Sequence, residues 1–458
     1  MTNMAAVEKR RVSDVAEAGR LRESLAARSR GGQGRFWDFS GTWRARADEE
    51  VLFQYPAMMV SPMQGALLDV LTDHRSGPMR VFDPFVGSGT TLIEAMRRGL
   101  PYAGSDLNPL AVMLARVETA EAAHFDMVRS LEATLLAAGD ARGAVAAPDD
   151  VFSLRWFRED VRVELAALRA AIAAQPEVRL RRLWWVCLSE VVRLASNARL
   201  STPKLQTRPL DELARPIDVQ GRFEQLAIRA CGVLARRSEA MRAAGYLCSG
   251  RYVPGVDLML ADARELPLLD WPADLVLTSP PYGDNHTTMP YGQASFLPLL
   301  WIDTADAEVA IPEHLLASSR SLDTCSLGGS RKTALGPAPD WVTGQSARLD
   351  RLMAVLHRSS YEAWQRVAAF FADYARALDS ILDQCAPDAH LVFTLGDRTV
   401  RGLCVPTTEI TRQLLAARGL VHVDTLHRAI PHNKRIARRN ELVSTIGSET
   451  VLIMARAG

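Results

Sequence analysis

The sequence is short of lysine. Of its 54 basic residues only Lys9, Lys204, Lys332 and Lys434 are lysines, and the rest are arginines. Against 53 acidic residues the formal net charge is +1, so no global basic field advertises a nucleic-acid partner. Any such surface has to be local. No apolar run approaches the ~20 residues of a membrane helix, and the polar N-terminus lacks a signal-peptide core. A cytoplasmic protein without a membrane partner is expected. The six cysteines (Cys187, Cys231, Cys248, Cys325, Cys385, Cys404) include no Cys-x-x-Cys pair. That argues against a disulfide framework or a structural zinc site, and no metal is expected. Internal repeats and low-complexity tracts are also lacking.

What is present begins with Val276-Leu-Thr-Ser-Pro-Pro-Tyr-Gly-Asp-Asn-His286. It continues an apolar run from Trp271 of the kind that makes a buried parallel strand. Two prolines then fix two φ angles and remove two backbone donors, leaving nearby carbonyls without sheet or helix partners. Ser279, the rigid Pro280-Pro281 turn and Tyr282 thus leave a strand end together. The ring can stack on a flat group while the oxygens accept from its exocyclic amine, and a nucleobase swung out of a helix is such a group. A packed Pro-Pro-Tyr turn without function is the plainer alternative for this stretch alone.

A second stretch, Met79-Arg-Val-Phe-Asp-Pro-Phe-Val-Gly-Ser-Gly-Thr-Thr-Leu-Ile-Glu-Ala-Met-Arg-Arg-Gly99, reads as strand, glycine turn and helix. It lacks the lysine of a Walker A loop, and it lacks the third glycine of a dinucleotide fingerprint. What remains is a strand-end turn carrying Asp83, Phe85, Gly87 and Gly89. Glycines let a ligand approach the backbone, and the acid before them suits a cofactor bearing an amine or sulfonium cation. The next strand ends in Asp106, placed where a carboxylate can take both hydroxyls of a ribose.

The remaining chain fills in an α/β pattern. A helix over Pro62–Thr72, capped by Ser61, precedes the glycine turn. Residues 1–48 read as a basic, partly disordered arm with one helix, and 49–110 as the first part of the sheet domain. Residues 111–250 are helical, too long for one crossover, and read as an insertion interrupted by a polar, basic loop at 199–210. Trp184 and Trp185 belong to its core. Residues 251–458 return to strands, ending at Asp262, at the Ser-Pro-Pro-Tyr turn, and then beginning at His390, Val421 and Glu449, which makes seven in all. The loop after Tyr282 reads as mobile and 303–345 as irregular. Between the last two strands Arg428, Lys434, Arg435, Arg438 and Arg439 stand with no acid among them. This is a candidate phosphate clamp, or else a solvated surface loop.

Taken together, Asp83-Pro-Phe-Val-Gly-Ser-Gly-Thr-Thr91 and Thr278-Ser-Pro-Pro-Tyr282 resemble the cofactor and catalytic motifs of DNA amino-methyltransferases that use S-adenosylmethionine. The resemblance covers roughly 51–110 and 251–458. It implies a Rossmann-like class I methyltransferase fold with a seven-stranded, mostly parallel sheet, non-permuted motif order and a large helical insertion. It further implies that Tyr55 and Pro56 line the methionine end of the cofactor. Asp83, Phe85, Gly87 and Gly89 would surround the methionine and sulfonium, Asp106 the ribose, and Asp262 with Ala263 the adenine. Ser279, Pro280, Pro281 and Tyr282 would hold the target amine and ring.

Ser-Pro-Pro-Tyr is the version typical of enzymes that methylate cytosine at N4, so the expected substrate is a flipped cytosine in double-stranded DNA. Adenine N6 is the close alternative. Restriction or defence proteins are the partners such a resemblance brings with it. Guanine-N2 methyltransferases of RNA and glutamine methyltransferases of release factors use related turns. A binding protein on a decayed methyltransferase fold is the alternative from another class, against which the intact glycines, Asp106 and Ser-Pro-Pro-Tyr speak.

Overall fold

The computed structural model describes residues 18–28, 37, 39, 51–75, 77, 79–202, 204–213, 215–307, 311–330, 344–430 and 447–456. Seven strands form its main sheet: β1 (Val81–Asp83), β2 (Tyr102–Asp106), β3 (Val256–Leu260), β4 (Ala273–Thr278), β5 (Cys385–Leu395), β6 (Leu420–Ala429) and β7 (Ser448–Arg456). Their order is β3-β2-β1-β4-β5-β7-β6. The first five are parallel, and β7 runs antiparallel to both of its neighbours. This is the Rossmann-like α/β architecture expected from the sequence. The chain leaves β1 in one direction to build β2 and β3 and returns on its other side with β4. The carboxyl ends of β1 and β4 therefore flank the crevice where open α/β sheets bind ligands.

Helix α1 (Ser61–Asp73) carries Pro62 in its first turn, but Val60 is its N-cap. The expected cap, Ser61, is the first helical residue, and its hydroxyl is spent on Glu94 Oε1 at 2.5 Å. Helix α2 (Thr90–Arg97) follows the glycine turn, and α3 (Pro109–Glu118) follows β2, capped by Asn108, whose side chain accepts from the Leu110 amide. Since α3 packs against β2 and β3, it is part of the sheet layer, and the extra helices begin after it.

Four long helices make up that insertion: α4 (Met127–Ala141), α5 (Glu159–Ala173), α6 (Val178–Ala195) and α7 (Val219–Ala243). Trp184 and Trp185 are fully buried in α6, as expected. Their indole nitrogens are satisfied by Ser130 Oγ at 3.0 Å and Asp306 Oδ2 at 2.7 Å. Arg181 grips the same Asp306 with two nitrogens at 2.8 and 2.9 Å. The insertion shares one continuous apolar core with a face of the sheet, running from Trp184 and Phe223 to Leu67 and Val81. It is fused to the sheet domain and is not a detached lobe.

After β4 come α8 (Tyr291–Trp301), the short helix Ser321–Cys325, α9 (Ala347–Ser359) and α10 (Tyr361–Asp383), then a hairpin of Arg398–Val400 with Leu403–Val405, and α11 (Thr407–Ala417). Buried Phe370, Phe371 and Tyr374 of α10 fill the other face of the sheet. At the far edge, the helix of residues 18–28 buries Leu21 and Leu25. Its Arg22 Nε donates to Val423 O at 2.6 Å, beside a register shift in β6. That contact covers an edge that would otherwise offer unpaired backbone groups.

Candidate active site

The glycine turn is built by the strand beside it. Gly87 and Gly89 adopt φ of +51° and +76°, the left-handed region that side chains rarely tolerate. Asp106, at the end of β2, accepts from the Gly87 amide at 2.9 Å and from the Asn108 amide at 2.8 Å. In this structure its carboxylate therefore holds the turn, with each oxygen keeping lone-pair capacity for a further donor. Asp83 is fully buried below the turn. Its Oδ1 accepts from Phe85 N at 3.0 Å and from Thr278 Oγ1 at 2.5 Å, while Oδ2 makes no hydrogen bond of normal geometry. Burial pushes both carboxyls up to about 6, against the lowering effect of their hydrogen bonds. Such acids favour a ligand that brings positive charge.

The turn after β4 stands directly beside this. Ser279 Oγ donates to the Thr394 carbonyl at the end of β5, at 3.2 Å. A hydroxyl has one proton, so Ser279 is left presenting lone pairs as an acceptor. Tyr282 is half-buried, and its hydroxyl donates to Glu449 Oε1 at 3.3 Å. Burial followed by the Glu449 charge raises its pKa well above the phenolic range, so it is a neutral donor. Arg428 does not stand free: it reaches Glu449 Oε2 across the β6–β7 ladder at 3.1 Å. Lys434, Arg435, Arg438 and Arg439 lie outside the described residues.

The loop after Tyr282, expected to be mobile, is pinned. Arg398 Nη1 pairs with Asp284 Oδ2 at 3.1 Å, both side chains almost wholly buried, and also donates to Thr287 Oγ1 at 3.0 Å. Asp284 in turn accepts from the Thr287 amide and hydroxyl. A Cβ at Gly283 would lie 2.3 Å from the Arg398 guanidinium, so a larger residue there would displace the side chain that pins the loop. A buried charge pair, with Asp284 further held by Thr287, keeps a loop in place where polar composition alone suggests freedom.

Between the two turns lies an open cleft. Tyr55, Pro56, Phe85, Gly87, Asp106, Asp262, Ala263, Ser279 and Pro281 all line it. Asp83 and Gly89 support the glycine turn from outside that lining, Pro280 is buried, and Tyr282 stands off it. Asp262 is partly engaged, paired with Arg264 at 2.5 Å. Arg264 also reaches the buried Asp373 at 3.0 Å. Sequence reasoning missed Asn285 and Tyr291, which line the same cleft. Tyr291 stacks on Tyr55 with ring centroids 5.9 Å apart. The buried Asn285 Oδ1 has no hydrogen-bond partner. Neither residue carries a local signal, since each matters only through a side chain the sheet brings to it.

The cleft therefore offers the half-buried Asp106 carboxyl, an open glycine turn, stacked aromatic rings and the unfilled acceptor of Asn285, with the buried Asp83 carboxyl behind the turn. It fits an amphipathic cation with an aromatic portion. Among the described residues no group of His, Cys, Asp and Glu could hold a metal ion, and no helix is long and apolar enough to cross a membrane.

No family model matches the chain. Over 414 residues it is 26% identical to the Type II methyltransferase M.MvaI of Kocuria varians, covering 87% of each protein. The chain resembles a methyltransferase over most of its length. A match of that extent cannot be held by the sheet segments alone, so it runs into the helical insertion.

Proposed function

We propose that this protein is a site-specific DNA methyltransferase that methylates the exocyclic N4 amine of a flipped cytosine. The observation that carries this reading is the Ser279 hydroxyl: its proton is committed to Thr394 O, so its lone pairs face the cleft beside Tyr282. An exocyclic amine conjugated to its ring is a poor nucleophile. Acceptors that hold its N–H bonds turn the nitrogen lone pair out of conjugation. Ser279 and the Pro280 carbonyl are those acceptors, and the Tyr282 ring is the surface on which the base stacks. No base of shifted pKa is needed before transfer, because the proton leaves once nitrogen carries positive charge.

The cofactor this reading implies is S-adenosylmethionine, and the cleft residues fit it. Asp83 and the glycine turn would face its cationic end, Asp106 its ribose, and Asp262 with Ala263 its adenine, with Tyr55 and Pro56 at the methionine end. When bound, it supplies an electrophilic methyl group. The protein's own work is to hold that methyl and the amine in line and to exclude water, which accounts for a large share of such a barrier. The similarity to a type II methyltransferase supports a restriction–modification setting with a cognate endonuclease as partner. Arg438 and Arg439, with Lys434 and Arg435, are proposed phosphate contacts.

Nucleoside mass spectrometry on DNA from cells expressing this chain, beside a Tyr282→Ala control, tests the proposal. N4-methylcytosine only with the intact chain is expected. N6-methyladenine would keep the mechanism and correct the base. Neither mark in DNA overturns the DNA reading and moves the search to RNA.

A further inference from the structure

The polar, basic loop at 199–210 is paired with itself through its backbone. Ala198 bridges Thr207 in antiparallel register, Arg199 N donates to Gln206 O, and Arg208 N donates to Asn197 O, both at 2.8 Å. Two arginines lace the ribbon from its sides. Arg208 Nε donates to Ala198 O at 2.8 Å and Arg199 Nε to Thr207 O at 3.1 Å. The ribbon leans on the catalytic turn: Lys204 Nζ donates to His286 O and Leu205 N to Gln293 Oε1, each at 3.3 Å. His286 is four residues after Tyr282, so the ribbon stands within about 14 Å of chain from the proposed stacking ring.

Its chemistry is as particular as its place. No acidic residue occurs between Glu190 and Asp211, while Arg199, Lys204 and Arg208 stand on the ribbon. At the tip Arg199, Leu200 and Ser201 are exposed, and Leu200 keeps 46% of its surface in water. A lone exposed leucine means little. One raised on a backbone-paired ribbon that carries Arg199, Lys204 and Arg208 beside the proposed base-handling turn is a different object. A two-stranded ribbon fits a DNA groove, its cations suit the flanking phosphates, and apolar side chains such as leucine are the wedges that hold unstacked bases apart.

We propose that the ribbon of residues 197–202 and 204–208 enters the duplex beside the target base and that Leu200 occupies the space the flipped base leaves. This rests on the reading of the cleft as a site for a base taken from duplex DNA. The wedge lowers the cost of extruding a paired base and has no task when the base is already unpaired.

The test compares the intact chain with Leu200→Ala on two duplexes carrying the methylated site: one fully paired, the other mismatched at the target base. The substituted leucine is solvent-exposed, so thermal midpoint and S-adenosylmethionine affinity should match wild type. On the paired duplex the transfer rate should fall at least about tenfold, and on the mismatched duplex it should return to near the wild-type rate. Equal rates on the paired duplex, or a loss the mismatch does not rescue, overturn the wedge while leaving the methylation reading intact. A wild-type chain that transfers methyl groups to neither duplex overturns that underlying reading, and the wedge with it.

Discussion

Thr278 Oγ1 donates to Asp83 Oδ1 at 2.5 Å, joining residues 195 positions apart. Asp83 ends β1 just before the glycine turn, and Thr278 ends β4 just before Ser279. One hydrogen bond therefore ties the cofactor side of the cleft to the side that would hold the base. Replacing Thr278 by valine keeps the volume and removes the shortest hydrogen bond to Asp83 Oδ1, leaving the Phe85 amide. A stability loss of about 1–3 kcal/mol is expected, together with weaker cofactor binding. Denaturant unfolding and a cofactor titration measure the two, and an unchanged affinity would show that the bond serves only the fold.

The Tyr282 ring is held by its hydroxyl on Glu449, which Arg428 neutralises. Tyr282→Ala should abolish transfer and leave cofactor affinity within about twofold, because the ring stands off the cleft lining. Tyr282→Phe and Glu449→Ala should each lower kcat, and the double variant should be no worse than the poorer single. Retained transfer in Tyr282→Ala would remove the stacking role.

Cofactor binding should depend on pH through Asp83 and Asp106. Both carboxyls are raised by burial from 3.8 to about 6. Each therefore costs stability progressively as pH rises from about 4 to 6, where the unfolded chain has already ionised and the native one has not. A cationic ligand favours the ionised forms. Its affinity should be flat above pH 7 and fall by up to about tenfold per carboxyl per unit below 6. Calorimetry at pH 6 in buffers of different ionisation enthalpy should register proton release on binding, and its absence would place the cation away from these acids.

Arg398→Met strands the buried Asp284 carboxylate and should cost about 3–5 kcal/mol. Adding Asp284→Asn removes the stranded charge and should restore most of that stability. If the pair positions the catalytic loop, kcat should stay depressed in the double variant even where stability returns. Recovery of both together would make the pair a stabilising element alone.

Neutralising Arg438 and Arg439 should weaken DNA binding similarly on all sequences. The slope of log affinity against log salt should flatten by about 0.9 for each lost phosphate contact. An unchanged slope, read by titration at several salt concentrations, would return that segment to an ordinary surface loop.

Much of the sheet was legible because strand ends and tight turns impose local demands. Glycines at Gly87 and Gly89 answer to backbone angles that few other residues adopt, and paired prolines after Thr278 announce a strand's end without reference to the rest of the chain. The same locality explains the errors. Ser61 looks like a cap until Glu94 takes its hydroxyl. The Gly283–Asn285 loop looks free until Arg398, 114 residues beyond Asp284, is packed under it. The polar, basic loop at 199–210 carries a ribbon made by backbone pairing that composition does not encode.

The sequence by itself determined the α/β alternation, the two turns and the kinds of ligand they suit, since hydrophobic period, glycine and proline act over a few residues. Only the tertiary structure decided which side chains complete the site. Glu449 meets Tyr282 across 167 residues, Thr394 takes the Ser279 proton across 115, and the ribbon reaches His286 from the insertion across 82. Those meetings follow from the β3-β2-β1-β4-β5-β7-β6 order and from the core shared by sheet and insertion. Both are set by how whole faces bury apolar surface together, a cooperative property that no short stretch of chain contains.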